Sequence, residues 1–142
     1  MKLSAVRTDL NASEDGIDFP LDDKGAKVKI AQWNNKAHQA FLRDVYKKHG
    51  RKIQMKMISD EEAEHLLAGQ WPHVLKGLTG FTEDDGKTPL QYSPQLIIDL
   101  ARNHQYKDFF KQIEAIAKDE ENYRTENIKA LGESLPALSD GQ

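Results

Sequence analysis

Cysteine is absent from the 142 residues of this chain, which excludes a disulfide framework and any metal site built on thiolates. Long apolar runs are absent too, and no segment approaches the roughly 20 apolar residues that a transmembrane helix needs. The first residues, MKLSAVRTDLNASEDG, lack the apolar core of a signal peptide. Hydrophobic residues make up only 38% of the chain and charged residues 30%. We therefore expect one soluble domain with a thin core and some flexible chain, not exported by the common route.

The distribution of turn residues and apolar residues predicts a mainly α fold with a minor β element. Apolar and polar residues alternate on both sides of a turn that contains Gly25, which predicts a β-hairpin at residues 16–32. Pro20 places the first strand of this hairpin at a sheet edge. Four to five helices follow, in a single small helical domain over residues 16–130. Residues 1–15 and 131–142 have the composition of flexible ends.

Capping residues predict where the first two helices begin. Asn34 or Asn35 provides the N-cap of a helix that we expect to end at Gly50. Ser59 begins the next helix, because Ser59 and Glu62 have the spacing of a capping box.

The second half of the chain has its own start and stop signals. Pro72 predicts a kink or break, because proline removes a helical hydrogen bond and clashes with the preceding turn. We expect a second helical piece over residues 74–78. Ser93 followed by Pro94 is typical of a helix start. The last helix is predicted from about residue 105 to beyond Tyr123, because its apolar residues form one stripe at helical spacing.

The polar residues do not form a recognisable catalytic or metal-binding pattern. His65 follows Glu61 by four residues, but a zinc-protease helix needs a second histidine at that spacing. The acids of residues 83–85 lack the alternate spacing and the closing glutamate of a calcium loop, so a tight turn at Gly86 is favoured. The other paired acids lie in polar runs where both members are ionised. We expect no catalytic residue, no metal site and no cofactor, and so no enzyme.

The charge is distributed unevenly along the chain. Residues 27–56 hold nine lysines and arginines against a single acid, Asp44, which makes this segment +8. The remaining residues must carry −11, because the whole chain has a net charge of −3. Such asymmetry favours either a solvated helix face balanced by an acidic half or a contact with an acidic partner. Binding to nucleic acid is disfavoured, because the pI is about 5.9 and the nearby aromatic residues have core spacing.

The chain has more apolar residues than a thin core needs, and apolar surface on a small protein often marks a partner. For any one of these residues, packing at the joints between short helices is an equally good explanation. Basic residues at the end of the first long helix add a charged surface. The resulting candidate partner-binding residues are Trp71, Leu78, Phe81, Tyr92, Tyr123, Lys47, Lys48 and Arg51.

Three segments between Val28 and Tyr123 resemble the tail assembly chaperones of long-tailed, non-contractile phages, the siphovirus type. The first, VKIAQWNNKAHQAFLRDVYKK, is similar to a strand leading into a basic helix that begins at an Asn-Asn pair. The second, GFTEDDGKTPLQYSP, is similar to the family's G-x-T-D-x-D-G-K-x-L-x-Y-S-P loop, and the third, KDFFKQIEAIAKDEENYRTE, to its last helix. The family often carries a tryptophan just before the loop glycine, where this chain has Leu78 and an earlier Trp71.

The resemblance implies a non-catalytic assembly factor. Such chaperones coat the long helical tape measure protein and are displaced as the tail tube polymerises. A frameshifted longer form recruits the major tail protein in many of these phages. The resemblance also implies self-association, residence in the host bacterial cytoplasm, absence from the mature virion, and no membrane contact.

Two other functions stay open at this point. A structural tail or head-completion protein would persist in the finished particle. A basic-faced regulator that binds nucleic acid would show binding that weakens steeply with added salt.

Overall fold

The computed structural model describes residues 1–128, and the C-terminal tail expected over residues 131–142 lies outside them. The fold is mainly α with a small antiparallel sheet, which confirms the predicted fold class. Short 3₁₀ turns connect several of the longer elements. In chain order the helices and strands are α1 (Leu10–Asp15), β1 (Ile17–Pro20), β2 (Lys27–Ile30), α2 (Lys36–Gln54), α3 (Asp60–Leu67), β3 (Leu75–Thr79), α4 (Pro94–Arg102) and α5 (Lys107–Lys118).

The three strands form one sheet in the order β1-β2-β3, with both pairs antiparallel. The hairpin of β1 and β2 is as predicted, and Pro20 lies on the edge strand β1. The prediction of a helical piece over residues 74–78 is wrong, because residues 75–78 lie in β3 and Val74 ends the 3₁₀ turn before it. Strand β3 pairs with β2, and Val28 of β2 lies opposite Leu78 of β3. Pairing on both sides satisfies the backbone groups of β2, which would otherwise be an open edge.

Helix α2 begins as predicted and ends later than predicted. The Asn35 side chain accepts a hydrogen bond from the His38 amide at 3.0 Å and so caps the helix. Gly50 does not end the helix, which continues to Gln54 because the following arginine and lysine favour helix. The chain leaves the helical conformation at Lys56, whose φ is +53°.

The predicted starts of α3 and α4 are confirmed, whereas the predicted end of the last helix is not. Ser59 and Ser93 cap α3 and α4 as predicted, and Pro72 lies in the 3₁₀ turn Ala68–His73 that follows α3. The prediction of one helix from about residue 105 to beyond Tyr123 is wrong. Helix α5 stops at Lys118, Asp119 takes an extended conformation, and its side chain caps the 3₁₀ turn Glu120–Tyr123.

The core lies between the sheet and the last two helices. Tyr123 is wholly buried there, and its hydroxyl donates a hydrogen bond to the Ile30 carbonyl at 2.9 Å. Burial raises the pKa of Tyr123 well above its ordinary value, so the hydroxyl stays a donor. The buried cluster comprises Val28, Ile30, Val74, Leu75, Ile97, Phe110, Ile113 and Ala117.

Residues 1–15, expected to be a flexible end, hold a 3₁₀ turn at Leu3–Val6 and helix α1. The amide of Asp9 donates to the Tyr123 carbonyl at 2.7 Å, and the amide of Gln32 donates to the Ser13 carbonyl at 2.9 Å. These bonds attach α1 to the body of the fold, which the local sequence pattern did not predict. Within residues 1–128, no helix combines the length and the apolar character needed to cross a membrane.

Candidate functional site

Helix α4 contributes to two surface grooves, one on each side of it. The first, which we call the acidic groove, encloses about 690 Å³ between the loop of residues 80–92, α4 and the start of α5. Six half-buried apolar side chains form its floor, and three exposed acids, Glu83, Asp84 and Asp85, form its rim. The floor residues are Leu78, Phe81, Leu90, Leu96, Leu100 and Phe109.

The loop at the acidic groove is held closed by its own hydrogen bonds. Asp85 accepts bonds from the amides of Lys87 and Thr88, each at 2.8 Å, and from the Thr88 hydroxyl. The bonds from Thr88 and Lys87 lower the pKa of Asp85, so the carboxylate stays ionised. Gly86 has a φ of +72°, so the acid-rich segment is the tight turn that the sequence predicted.

Gly80 positions this loop against the hairpin. Its φ is +76°, and a Cβ atom on this residue would lie 2.4 Å from the Gly25 carbonyl oxygen. Only glycine accepts both the backbone conformation and the close approach. The Tyr92 hydroxyl fixes the other end of the loop, because it donates to the Leu75 carbonyl of β3 at 2.7 Å.

The second groove, which we call the tryptophan groove, encloses about 440 Å³ between the end of α3, α4 and α5. Its floor is apolar and includes Leu67, Trp71, Ala101 and Phe110. The Trp71 ring packs on the Phe110 ring with 4.8 Å between centroids. Both signs of charge occur on the rim, which holds Glu64, Arg102, Lys107, Lys111 and Glu114.

A third surface feature is the end of α2 and the turn after it, residues 51–57, which we call the basic tip. Met55 and Met57 expose 61% and 65% of their surface. Arg51, Lys52 and Lys56 are exposed beside them. Sequence reasoning did not single out this feature, and the signal that could have found it is the M-K-M triplet that follows a basic helix end.

Seven of the eight candidate partner-binding residues fall into four groups on or near the surface. Leu78 and Phe81 line the acidic groove, and Trp71 lines the tryptophan groove. Tyr92 is half-buried and tied to β3. The basic candidates Lys47, Lys48 and Arg51 are all exposed on α2, where Lys48 pairs with Asp44 at 3.1 Å.

Tyr123 corrects the sequence-based set. We expected it on a partner surface, but its side chain has 0% exposure and bonds to the backbone of β2. The reason is that the chain turns back toward the sheet after Asp119 and does not extend α5. In this conformation Tyr123 is a core residue.

His38 is a buried polar residue that sequence reasoning did not single out. Its Nδ1 accepts a bond from the Asn34 amide at 3.0 Å, so Nδ1 carries no proton and Nε2 donates to Gln70 Oε1 at 2.8 Å. Burial lowers the pKa of His38, and burial also lowers that of the neighbouring His73. The side-chain Nδ2 of Asn35 donates to the backbone carbonyls of Gln32 and His73 at 2.9 and 2.8 Å. Among the described residues, no buried side-chain nitrogen or oxygen lacks a hydrogen-bond partner. The bonds from His38 to Gln70 and from Asn35 to His73 hold α2 against the turn before β3.

Metal-binding geometry is not found in the part of the chain that the structure describes. No group of three or more histidine and acidic side chains there could hold an ion. His65 and Glu61 line a shallow apolar pocket beside the basic tip, together with Ile58 and Leu66.

Comparison with known proteins places the chain by sequence. A family model described as YdaY prophage protein matches residues 33–133. No curated protein and no solved structure matches the chain. The matched range includes α2 to α5 and therefore both grooves and the basic tip.

Proposed function

The chain belongs to the family of YdaY prophage proteins, and on that premise we propose that it is a tail assembly chaperone. It binds the tape measure protein, covers it before the tail tube forms, and is displaced as the tube polymerises. It acts without catalysis, in the cytoplasm of the host bacterium, and leaves no copy in the finished particle. The loop and helix segments quoted above, which resemble this class of chaperone, support the proposal.

The observation that carries the proposal is the tryptophan groove. Its apolar floor at Leu67, Trp71 and Ala101 suits the apolar stripe of a helix laid across it. Because the rim carries both signs of charge, the groove does not require one charge pattern in the bound segment. A tape measure protein is a long helical chain, so many copies of such a groove can cover it at successive positions.

Weak binding at each position is part of this function. Thirteen residues line the groove, against the roughly 20–30 that each partner contributes to a stable interface, so one copy alone binds loosely. Many copies on one long chain still cover it efficiently, because binding sites on the same molecule raise the effective concentration. Tail tube subunits can then displace the copies by mass action, because each individual contact is easily lost.

Co-expression with the tape measure protein of the same prophage tests the proposal. We expect the tape measure protein to be soluble and to co-purify with this chain, and to aggregate when expressed alone. Tape measure protein that is equally soluble without this chain would refute the chaperone function.

A charge introduced into the tryptophan groove tests whether this groove is the binding site for the tape measure protein. Ala101→Glu puts a carboxylate into the apolar floor, where its burial is unfavourable, and is expected to abolish co-purification. Gln112→Glu is the matched control, because Gln112 is exposed on α5 and lines neither groove. Melting temperatures of both variants establish that they fold. Equal co-purification by a folded Ala101→Glu variant would exclude the tryptophan groove as the binding site.

Mass spectrometry of purified virions separates this function from that of a structural tail or head-completion protein. A chaperone is expected to be absent from the particle. Its presence at stoichiometric amounts would favour the structural alternative.

A further inference from the structure

We propose that His38 is a proton-sensitive switch of the tryptophan groove: the neutral imidazole holds the groove in its binding form, and uptake of one proton loosens the groove and releases the bound segment. The proposed function supplies the identity of that segment, so the switch rests on that function and regulates the same groove. The loosening itself is a property of the chain alone and can be measured without a partner.

His38 connects helix α2 to the wall of the tryptophan groove. Its Nε2 donates to Gln70 Oε1 at 2.8 Å, and Gln70 lines the groove. Its ring packs edge-on against the Trp33 ring with 4.5 Å between centroids. The Trp33 ring in turn packs on the Trp71 ring of the groove floor, with 5.6 Å between centroids. Displacement of this one imidazole therefore removes support from two neighbouring residues of the groove.

The hydrogen bonds of His38 determine what a proton changes. Nε2 donates to Gln70 in the neutral and in the charged form of the ring, so this bond does not oppose protonation. Nδ1 accepts from the Asn34 amide at 3.0 Å, and a proton on Nδ1 would place two donors against each other. Asn34 has a φ of +64°, a left-handed conformation that few non-glycine residues adopt. Loss of the bond from its amide therefore loosens a strained residue directly before the N-cap of α2.

A charged His38 would have no anion bonded to it, because His38 has 0% exposure and takes part in none of the ion pairs formed within residues 1–128. The charged and titratable groups on the elements around it are Glu14 of α1, Lys36 of α2, His73 of the 3₁₀ turn, Lys76 of β3, and Glu114 and Lys118 of α5. Glu14 accepts from the Lys36 amide at 2.7 Å. Glu114 pairs with Lys118 at 3.0 Å. Burial of the charge without a counter-ion is unfavourable, so the protonated imidazole moves toward water.

Neutral pH keeps the groove in its binding form. Burial lowers the pKa of His38 below its ordinary value of 6.5, so the imidazole stays neutral above that pH in the folded chain. As the pH falls further, the fraction of chains with a neutral His38 decreases, and the apparent affinity of the groove decreases with that fraction. Below the pKa of His38 in the folded chain, the loss of affinity is about tenfold for each pH unit. By linkage, a bound segment must lower the pKa of His38 further.

Three other histidines lie near the groove and are also candidates for an effect of pH. His65 and His104 line the rim, where both are exposed, and His104 Nε2 lies 3.8 Å from the Glu64 carboxylate. His73 is half-buried in the 3₁₀ turn. Within residues 1–128, none of these three side chains forms a hydrogen bond, whereas the His38 ring forms two. Protonation of a rim histidine changes the charge of the rim but breaks no buried contact, so variants of these three residues are the controls.

NMR titration of the full ¹⁵N-labelled chain, without a partner and from about pH 7.5 to about pH 5, tests the switch. We expect the His38 imidazole to titrate with a midpoint below 6.5, and the Asn34 amide and the Trp71 indole signals to shift with the same midpoint. The signals of the core residue Tyr123 are expected to stay unchanged. The proposal is overturned if His38 gains no proton in this range, or if it does so while the Trp71 signals stay unchanged. A simultaneous change at Tyr123 would also overturn it, because the event would then be global unfolding.

His38→Asn removes the titration and keeps an acceptor for the backbone amide, because the asparagine Oδ1 takes the place of Nδ1 next to Cγ. The Trp71 signals of this variant are expected to show no acid transition, and a folded variant with the wild-type transition would overturn the proposal. The controls, His73→Gln and the double variant His65→Gln with His104→Gln, are expected to keep the transition. Its loss in either control would overturn the assignment. Melting temperatures establish folding, and the wild-type chain with the two controls decides the matter if His38→Asn does not fold.

Binding of the tape measure protein to the immobilised chain, measured over the same pH range, tests what the switch controls. Affinity is expected to fall by about tenfold for each pH unit below the pKa of His38, and this fall is expected to be absent from His38→Asn. An equal fall in both chains would overturn the regulatory role. Absence of binding at every pH would refute the chaperone function instead, and the titration of the chain alone would still decide whether His38 loosens the groove.

Discussion

The buried hydroxyl of Tyr123 gives the sharpest test of the fold, and Tyr123→Phe removes that hydroxyl alone. The hydroxyl donates to the Ile30 carbonyl at 2.9 Å in a site with 0% exposure of the tyrosine. A neutral hydrogen bond contributes about 1 kcal/mol, and a buried carbonyl left without its donor adds a desolvation cost, so we expect a loss of about 1.5 kcal/mol. For a chain of this size that loss lowers Tm by about 5 °C.

Urea unfolding followed by circular dichroism measures the loss, and Tyr46→Phe is the matched control. Tyr46 is 55% exposed, so removal of its hydroxyl is expected to change the free energy of unfolding by no more than about 0.5 kcal/mol. Equal stability of the two variants would refute the argument.

Three further predictions concern the loop, the cap of α2 and the buried histidine. Gly80→Ala is expected to lower the free energy of unfolding by about 3 kcal/mol or more in thermal unfolding, because it combines a positive φ with a steric clash. Gly86 also has a positive φ but nothing within 4 Å of the position that a Cβ atom would take, so Gly86→Ala is expected to lower it by only about 1–2 kcal/mol. Equal losses would show that the close approach at Gly80 is absent. Asn35→Ala is expected to lower the free energy of unfolding in urea by about 2–3 kcal/mol, because it removes a helix cap and two bonds to backbone carbonyls. Ser59→Ala removes only an exposed cap and is expected to lower it by about 1 kcal/mol. A smaller loss for Asn35→Ala than for Ser59→Ala would contradict the prediction. Burial lowers the pKa of His38 in the folded chain, so as the pH falls the unfolded chain binds a proton on this histidine before the folded chain does. The free energy of unfolding should therefore be at its full value above pH 6.5 and decrease as the pH drops below 6.5. NMR titration of His38 giving a pKa at or above 6.5 would contradict that prediction.

Titration of the two aspartates with lowered pKa values does not overlap the pH range in which His38 affects stability. Asp22 and Asp85 have pKa values lowered by hydrogen bonds from backbone amides and, for Asp85, from the Thr88 hydroxyl. Carboxylates with lowered pKa values lose their contribution only as the pH falls below their ordinary value of 3.8. The window between pH 6.5 and 5 therefore reports on His38 together with His73, whose pKa is also lowered.

Features that depend on neighbouring residues in the chain could be predicted from the sequence. The caps at Asn35, Ser59 and Ser93 are local, because each side chain bonds an amide three residues further along. The hairpin turn and the tight turn at Gly86 are local in the same sense. These signals were sufficient for the fold class.

Features that depend on residues far apart in the chain could not be predicted in this way. The segment that forms β3 has the spacing of a helix, and it becomes a strand because β2 offers an open edge. The stripe of α5 continues to Tyr123 in sequence, and only the return of the chain at Asp119 buries that tyrosine. Leu78 and Phe81 were identified as candidates singly, whereas the acidic groove needs α4 and α5 packed beside them.

The two tryptophans of the chain form a single aromatic cluster. The rings of Trp33 and Trp71 lie 5.6 Å apart, and Trp33 contacts the His38 ring with 4.5 Å between centroids. Tryptophan fluorescence, excited selectively near the red edge of its absorption, therefore comes from this one place, next to the groove in which we propose the partner binds. Emission should change when a segment covers Trp71 and should be quenched when the imidazole of His38 gains a proton, so one optical signal can follow loading and acid titration without any attached dye.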